Sequence, residues 1–272
     1  MLSFIRTKLK RHVPEELKRH VRELFAKSGI RQLPQSPYPE QFSSEMDCPK
    51  RDWAERFLLI ASTPRCGSHY LGHMLGATGE CGVPLEYFNE ESKRYWRRRF
   101  KTTSMDELFP KLVQYRTSPN GTFTLKAHWY QYKPYIASLD RLTRDAGFDK
   151  VVWISRRNQL AQAVSKVIAE QTGVWISGAK PKGDARYDYD AIVSSAESIR
   201  RANLQWLDHV NALPLGKSIA VVYEDLLSDE TVCDKVSEFL DLKNRLRPSD
   251  RTQKQGSDLN ASWKNRFMDE LR

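Results

Sequence analysis

Apolar residues recur along the chain in two alternating patterns, one typical of buried strands and the other typical of helices. Short runs of β-branched and aromatic residues have the length of strands, and longer stretches between them repeat their apolar residues at helical spacing. The predicted strands cover residues 57–62, 122–128, 151–155 and 219–223. The predicted helices cover residues 67–78, 105–115, 134–146, 160–172, 191–211 and 231–240.

The alternation of short strands with helices indicates a parallel sheet that carries helices on both faces. The predicted fold class is therefore α/β, a three-layer α/β/α sandwich around a central, mainly parallel sheet. Ligands of such sheets bind at the carboxyl ends of the strands, so residues that directly follow a strand are the first candidates for a functional site.

A compact turn of small residues joins the first predicted strand to the first predicted helix. The strand breaks at Thr63-Pro64, and the turn that follows consists of Arg65, Cys66, Gly67, Ser68 and His69. A strand, a tight turn and a helix N-terminus form a cradle of backbone N–H groups that suits an anion. The turn lacks the Gly-Lys-Ser/Thr signature of nucleotide-binding P-loops, so Arg65 supplies the positive charge and no hydroxyl group is placed for magnesium. We therefore expect a P-loop-like sandwich that holds a phosphate group without a metal.

A second strand end has the same arrangement. The strand at 151–155 is followed by Arg156 and Arg157, and Ser165 lies eight residues beyond Arg157, about two turns into the next helix. Guanidinium groups at a strand end and a hydroxyl group from a helix suit a phosphate. Arginines at such a place also fit a solvated rim, and a mid-helix serine commonly bonds its own backbone. Together, the two strand ends favour a nucleotide with two separate phosphate groups, and the leading candidate is the sulfuryl donor 3′-phosphoadenosine-5′-phosphosulfate (PAPS).

Four groups of residues follow one another in a characteristic order. They are the loop 61–69; Ala-Thr-Gly at 77–79 with Gly-Val-Pro-Leu-Glu-Tyr-Phe at 82–88; Gln-Ala-Val-Ser at 162–165 with Gln-Thr-Gly-Val-Trp at 171–175; and Arg251 with Trp263-Lys-Asn-Arg266. Together they resemble the motifs of the PAPS-dependent sulfotransferases, in particular the bacterial carbohydrate branch of trehalose sulfotransferase-like and nodulation-factor sulfotransferase-like enzymes. The resemblance covers residues 55–270. Two loop residues depart from the family pattern, because Cys66 replaces a serine and His69 replaces a threonine or serine.

The resemblance implies a role for each group of residues. It assigns the loop after the first strand to the 5′-phosphosulfate of PAPS and the second strand end to the 3′-phosphate, while a C-terminal segment would close over the nucleotide. The expected nucleotide-binding residues are Arg65, Cys66, Gly67, Ser68, His69, Arg156, Arg157, Ser165, Arg251, Lys254 and Gln255. No metal is expected.

Sulfuryl transfer needs a base for the acceptor hydroxyl group and positive charge at the leaving oxygen. Glu86 is one candidate base, because apolar neighbours in its loop would partly desolvate it, and the resemblance assigns the base to this glutamate. His128 is the alternative. Alternation along a strand places it on the same face as Lys126, and the Lys-x-His pattern resembles that of animal cytosolic sulfotransferases. Lys126 is expected to stabilise the leaving group.

Composition bears on the partner. With 44 Lys and Arg against 34 Asp and Glu, the chain carries a formal net charge of +10, which favours an anionic partner. No nucleic-acid-reading motif is present, so we expect no nucleic-acid partner. Two alternatives to a sulfotransferase remain open at this point. One is a P-loop kinase-like enzyme, although the loop has no lysine, and the other is a non-catalytic polyanion-binding module.

The first part of the chain differs from the rest. Residues 1–50 are expected to form a basic amphipathic extension and a linker, ahead of a sulfotransferase domain at 51–272. The apolar stripe of 1–33 suits either a helix pair on a membrane surface or helices packed on the main domain. No segment resembles an export signal or a membrane span, and the four cysteines are scattered. We therefore expect a cytoplasmic protein, with the inner membrane surface as an alternative location.

The acceptor is expected, by resemblance alone, to be a hydroxyl group of a carbohydrate or a glycolipid. The basic aromatic stretch 93–100 either lines the acceptor cleft or forms an exposed helix face. Four further aromatic residues either join the acceptor site or belong to the core. The aromatic residues in question are Trp129, Tyr130, Tyr132 and Trp175. The sequence indicates no oligomeric state.

Overall fold

A computed structural model describes residues 42–175, 179–248 and 258–272 of the chain. The predicted amphipathic helices at 1–33 lie outside the described residues. Three of the expected nucleotide-binding residues also lie outside them, namely Arg251, Lys254 and Gln255. Within the described ranges, no helix combines the length and the apolar character that a membrane span requires.

Four parallel strands form one sheet. The strands are β1 (Arg56–Ser62), β2 (Thr122–His128), β3 (Lys150–Ser155) and β4 (Ser218–Val222). Their order across the sheet is β2-β1-β3-β4, and every neighbouring pair is parallel. The four predicted strands are thus confirmed to within one residue at either end. Because parallel strands point the same way, the residues that follow β1, β2 and β3 meet at one edge of the sheet.

Helices connect the strands. In chain order they are α1 (Ser68–Ala77), α2 (Glu90–Phe100), α3 (Met105–Arg116), α4 (Trp129–Tyr132), α5 (Leu139–Thr143), α6 (Gln159–Thr172), α7 (Tyr189–Asn211), α8 (Tyr223–Ser228), α9 (Glu230–Phe239) and α10 (Asp258–Glu270). Short 3₁₀ helices occur at Ser44–Met46 and Lys133–Ser138. Five of the six predicted helices are confirmed to within two residues at either end, as α1, α3, α6, α7 and α9.

Side chains along β1 alternate between two cores, one on each face of the sheet. Phe57 and Leu59 join one core, which includes residues of α2 and α3. Leu58 and Ile60 join the other, which includes residues of α1 and α9. None of these four side chains is more than 3% exposed. The helices on both faces confirm the predicted three-layer α/β/α sandwich.

The predicted helix at 134–146 is wrong. The 3₁₀ helix Lys133–Ser138 and the short α5 occupy this stretch instead. α5 ends because Arg144 and Asp145 have positive φ values of 55° and 64°, and a left-handed backbone cannot continue an α-helix.

The apolar pattern does not predict α2, because most of its residues are charged, and a helix is only one of the two interpretations of its residues 93–100. A start signal is nevertheless present. The side chain of Asn89 accepts hydrogen bonds from the backbone N–H groups of Glu91 and Ser92, and Asn before acidic residues is a common helix start. The apolar pattern does not predict α10 either. This helix buries only Trp263 and Phe267, so few of its residues are apolar at helical spacing.

Residues just before the predicted domain start also contribute to the core. The side chain of Phe42 is buried. Asp47 pairs with Arg99 and, at 2.9 Å, with Arg116. Arg116 is fully buried, so this ion pair lies inside the fold and ties the segment to α3.

Candidate active site

The loop between β1 and α1 has the backbone of an anion cradle. Arg65 and Gly67 have positive φ values of 65° and 91°, and α1 begins at Ser68. A Cβ atom on Gly67 would lie 2.1 Å from the ring of Tyr223, so this position requires glycine both for its backbone and for its close approach. Gly67 is also the N-cap residue and has no side chain to cap the helix. The first N–H groups of α1 are therefore suited to an anion.

Arg65, Arg156 and Ser165 meet beside this loop. Nε of Arg65 donates a hydrogen bond of 2.9 Å to Oγ of Ser165, and Nη1 of Arg156 donates one of 3.3 Å to the carbonyl oxygen of Arg65. Burial, with a smaller effect of the Arg156 charge, lowers the pKa of Arg65 to about 10. Nε of Arg156 is buried and has no hydrogen-bond acceptor among the described residues; a carboxylate oxygen of Glu224 lies 3.7 Å away. A phosphate group would satisfy this N–H group and relieve the repulsion between the two arginines.

Arg157 has a different partner. Its exposed guanidinium donates two hydrogen bonds, of 2.7 Å and 2.8 Å, to the carboxylate of Asp225. Its backbone N–H group donates to Glu224 at 2.9 Å. The structure therefore brings three of the predicted phosphate-binding side chains together and holds the fourth, Arg157, on a carboxylate.

Four polar side chains converge on the carboxylate of Glu86. Its Oε1 lies 3.1 Å from Nζ of Lys126, 3.5 Å from Nε2 of His128 and 3.7 Å from Nε2 of His69. Its Oε2 accepts a hydrogen bond of 2.8 Å from Nε2 of Gln131. The two candidate bases and the lysine expected at the leaving group thus form one cluster. His69, expected at the nucleotide, also reaches this cluster.

Backbone pairing brings Glu86 to this place. Leu85 forms an isolated parallel bridge with Leu125 of β2, and the backbone N–H group of Lys126 donates a hydrogen bond of 3.0 Å to the carbonyl oxygen of Leu85. The loop after α1 therefore returns to the sheet and runs beside β2 for one residue. The register of this bridge sets Glu86 next to Lys126.

The neighbouring charges determine the protonation of Glu86. Burial by itself would raise the pKa of Glu86, but His128, Lys126, His69 and the hydrogen bond from Gln131 together hold it well below its usual range. Burial lowers the pKa of both His128 and His69, and the charge of Lys126 lowers them further against the opposing effect of Glu86. Both rings are therefore neutral near neutral pH, and the ammonium group of Lys126 is the main partner of an ionised Glu86.

Ser62 fixes the ring of His128. Oγ of Ser62 lies 2.9 Å from Nδ1 of His128 and donates a hydrogen bond of 3.0 Å to the carbonyl oxygen of Ala127. Because the hydroxyl group has a single proton, Nδ1 of His128 carries the other proton and donates it to Ser62. Nε2 of the neutral ring then has a lone pair on the side of Glu86, where it can accept a proton.

Part of the predicted acceptor cleft belongs to the core instead. Trp129 and Tyr132 pack around Trp206, with ring centroids 4.9 Å and 5.1 Å from it. For Trp129 and Tyr132, the core interpretation is correct. In the basic stretch 93–100, Tyr95 and Trp96 are buried, so both interpretations of that stretch, an acceptor cleft and an exposed helix face, are wrong for these two residues.

Two other aromatic side chains lie beside the site. Tyr130 is 62% exposed, and its ring centroid is 5.9 Å from that of His128. Trp175 is 43% exposed, and its carbonyl oxygen accepts a hydrogen bond from Arg65. One exposed ring therefore adjoins the Glu86 cluster, and the backbone of Trp175 contacts Arg65 of the phosphate cradle.

A comparison with known proteins identifies the family. The model of the family described as Stf0 sulphotransferase matches residues 56–270. The chain belongs to the Stf0 sulphotransferase family. It is 25% identical over 251 residues to trehalose 2-sulfotransferase of Mycolicibacterium smegmatis, a match that covers 77% of this chain and 93% of that protein. The resemblance carried by the sequence motifs is thereby confirmed, and sulfuryl transfer is the activity of the family.

Two solved structures are similar to this Stf0 sulphotransferase at low identity. The sulfotransferase domain of the Synechococcus PCC 7002 olefin synthase is 17% identical with a TM-score of 0.46, over 81% of this chain and 90% of that chain. A sulfotransferase from Alicyclobacillus acidocaldarius is 14% identical with a TM-score of 0.45, over 80% of this chain and 93% of that chain.

Three residues of the Stf0 site are not singled out by the sequence patterns. Ser62 and Tyr223 are the last residue of β1 and the first residue after β4, so the rule that ligands bind at strand ends could have found them. Gln131 stands three residues after His128, and its Oε1 accepts a hydrogen bond of 2.9 Å from the backbone N–H group of His128. That spacing is a helix-capping signal that the sequence displays.

No metal centre accompanies these residues in the described part of the Stf0 chain. Groups of three or more His, Cys, Asp or Glu side chains that could hold an ion are absent there. The four cysteines, all of them described, are free thiols.

Proposed function

We propose that the protein transfers the sulfuryl group of PAPS to a hydroxyl group of a carbohydrate or a glycolipid by in-line displacement with a general base. The proposal is supported by one observation above all: a phosphate cradle follows β1, and a carboxylate–lysine–imidazole cluster lies at the adjacent end of β2, where Ser62 pairs with His128. Ser62 at the end of β1 contacts His128, and Arg65, three residues later, contacts Ser165. Donor and base can therefore meet at one edge of the sheet.

The donor is proposed to bind across the two strand ends. The first turn of α1 and Arg65 suit the 5′-phosphosulfate, because backbone N–H groups and a guanidinium group both favour negative charge. Arg156, Arg157 and Ser165 suit the 3′-phosphate. Arg157 would exchange its contact with Asp225 for this phosphate, and the buried N–H group of Arg156 would gain an acceptor.

Glu86 is the proposed base, and Lys126 the proposed partner of the leaving oxygen. The two roles are coupled through the distance of 3.1 Å between these side chains. When Lys126 donates to the leaving oxygen, Glu86 loses part of its stabilising charge and becomes a stronger base. His128 remains the alternative base, because Nε2 of its neutral ring has a lone pair and lies in the same cluster, 3.5 Å from Oε1 of Glu86.

A carbohydrate acceptor is supported by the name of the trehalose 2-sulfotransferase relative. It is also supported by the exposed ring of Tyr130, since the apolar face of a sugar packs well on an aromatic ring. A glycolipid acceptor depends on a membrane contact of residues 1–33, which stays a prediction.

The decisive experiment has two parts. The full-length protein is titrated with 3′,5′-phosphoadenosine (PAP), AMP and ATP, and the transfer of a radiolabelled sulfuryl group from PAPS is measured with trehalose and with a trehalose glycolipid as acceptors. We expect PAP to bind at least tenfold more tightly than AMP or ATP, with transfer to one acceptor. Equal affinity for the three nucleotides would contradict the proposal. Magnesium-dependent ATP turnover would point to the kinase alternative, and salt-sensitive RNA binding without transfer would point to the polyanion-binding module.

Two variants separate the base from the binding site. Glu86→Gln and His128→Ala should each keep PAP affinity within about threefold, and the variant that removes the base should lower kcat by about 10²- to 10⁴-fold. If neither variant lowers kcat by tenfold, the proposed cluster is not the base.

A further inference from the structure

His69 differs from the other residues around Glu86 in its access to solvent. Its side chain is 31% exposed, against 9% for His128 and 1% for Lys126. All three side chains approach the same oxygen, Oε1 of Glu86. His69 approaches it from the first turn of α1, and Lys126 and His128 approach it from β2. His69 is therefore the most exposed of the three side chains that approach this oxygen, and it is more exposed than the Glu86 side chain itself, at 15%.

The proton taken from the acceptor must leave the cluster before the next turnover. Protonation of Glu86 removes its favourable ion pair with Lys126 at 3.1 Å. The ammonium group of Lys126 therefore disfavours the protonated form of Glu86. His128 can receive the proton, but its Nδ1 is bound to Ser62 and its ring is almost buried. The ring of His69 faces Glu86 through Nε2 at 3.7 Å, and part of it reaches solvent.

We propose that His69 receives from Glu86 the proton of the acceptor hydroxyl group and releases it to water. This inference rests on the proposed function and adds a role to the same site. The acceptor O–H bond breaks as its oxygen forms the bond to sulfur, and the electron pair of the broken sulfur–oxygen bond stays on the leaving phosphate. The proton passes to Oε1 of Glu86 and then to Nε2 of His69, and the resulting imidazolium gives its Nδ1 proton to water. The ring is then the Nε2–H tautomer, and proton exchange with water returns it to the Nδ1–H tautomer, with a lone pair on Nε2, before the next turnover.

The surroundings of His69 favour release of the proton over its retention. The groups that face His69 are Glu86 and Lys126, together with the rings of His128 and His73, the latter with its centroid 6.3 Å away. Burial, followed by the charge of Lys126, lowers the pKa of His69 well below its usual value, and only Glu86 opposes this. The imidazolium form is therefore short-lived at neutral pH.

The test uses His69→Gln, because glutamine is polar and of similar size but cannot carry a proton, and His69→Gly with added imidazole. We expect kcat of His69→Gln to fall by about 10²-fold, with PAP affinity within about threefold of the wild type. Imidazole should raise kcat of His69→Gly at least fivefold and should not raise that of the wild type. His209→Gln, a change in the half-buried histidine at 3.2 Å from the Tyr132 hydroxyl group, is the matched control and should not respond to imidazole.

Three results would overturn the inference while leaving the proposed function intact. They are wild-type kcat in His69→Gln, a loss of PAP affinity as large as the loss of kcat, and a loss of kcat in His69→Gly that no imidazole restores although circular dichroism shows a folded protein. If the wild type itself neither binds PAP nor transfers sulfate from PAPS, the proposed function is wrong, and the role of His69 is wrong with it.

Discussion

Nε of Arg65 donates a hydrogen bond of 2.9 Å to Oγ of Ser165. Arg65 belongs to the loop after β1, and Ser165 stands in α6, which follows β3. The bond therefore connects the two strand ends that the sequence assigns to different phosphate groups of one nucleotide. The two strand ends thus contact each other directly through these side chains.

The contact between Arg65 and Ser165 predicts that their effects on nucleotide binding are coupled. Arg65→Ala should weaken PAP binding about 10- to 150-fold, the usual effect of removing a hydrogen bond to a charged group. Because Ser165 loses its partner in that variant, the double variant with Ser165→Ala should lose less binding free energy than the sum of the two single variants. Calorimetric titration with PAP measures this cycle.

Arg141→Ala is the control for that cycle, because Arg141 forms an exposed ion pair with Asp106 and should leave PAP affinity within about twofold. If the losses of PAP binding free energy in Arg65→Ala and Ser165→Ala add strictly, the two residues bind the nucleotide independently.

Arg157 should distinguish a nucleotide with a 3′-phosphate from one without it. In Arg157→Ala, we expect the preference for PAP over AMP to fall about tenfold or more, because a charge-assisted hydrogen bond to the 3′-phosphate is lost. AMP affinity should change little. The measurement is a competition titration with both nucleotides.

Asp225→Asn is the matched variant, since it removes the charge that holds Arg157 by hydrogen bonds of 2.7 Å and 2.8 Å. It should leave PAP binding equal or tighter. A PAP preference that is unchanged in Arg157→Ala would mean that Arg156 and Ser165 bind the 3′-phosphate alone.

Gly67→Ala should destabilise the fold and weaken PAP binding. Its Cβ atom would lie 2.1 Å from the ring of Tyr223, at a φ of +91°. We expect the free energy of unfolding to fall by about 2–3 kcal/mol, measured by urea unfolding.

Gly76→Ala is the matched control within α1, because its Cβ atom would meet only Pro84 at 3.5 Å. That substitution should leave stability equal or raise it by up to about 1 kcal/mol. Equal stability of Gly67→Ala and the wild type would show that the loop and Tyr223 can move apart without loss.

The ion pair of Glu86 and Lys126 should make stability depend on pH in acid. The pKa of Glu86 is lower in the folded protein than the ordinary value of 4.5. The ionised carboxylate therefore stabilises the fold at pH values above 4.5, and this stabilisation is lost progressively as the pH falls below 4.5. Glu86→Gln leaves Lys126 without its counter-charge at 1% exposure. The wild type should therefore be more stable than this variant at pH 7, and the difference should shrink as the pH falls below 4.5.

Unfolding in urea at a series of pH values measures this difference. A difference that does not shrink between pH 4.5 and pH 3 would contradict the ion pair.

The strands and the loop after β1 are predictable from sequence, because both follow from the pattern of neighbouring residues. A short apolar run such as Leu58 to Ala61 is buried on both faces of a parallel sheet, and a turn with Gly67 follows it directly. The helix at 134–146 is not predictable in the same way. Its apolar spacing is helical, but the backbone of Arg144 and Asp145 is left-handed, and no glycine or proline at these positions marks the break.

The candidate site is only partly predictable, because its distances join residues far apart in sequence. Strand alternation places Lys126 and His128 on one face, which is a local rule. The contact of Glu86 with Lys126 depends on the bridge between Leu85 and Leu125, and no local pattern specifies that bridge. The position of His69 beside Glu86 depends in addition on the direction of α1, so the sequence places His69 only in the nucleotide loop.

The bridge between Leu85 and Leu125 fixes the carboxylate through main-chain atoms, and the neighbouring side chains Leu85, Tyr87 and Phe88 hold it in place from the core. Exposed side chains elsewhere around the site can therefore change without altering the distance from Glu86 to Lys126. Selection for a new sulfate acceptor could thus reshape the surrounding surface through substitutions or insertions, while the reacting groups keep their mutual geometry. A fold with this division of labour can diversify in what it modifies and remain constant in how it does so.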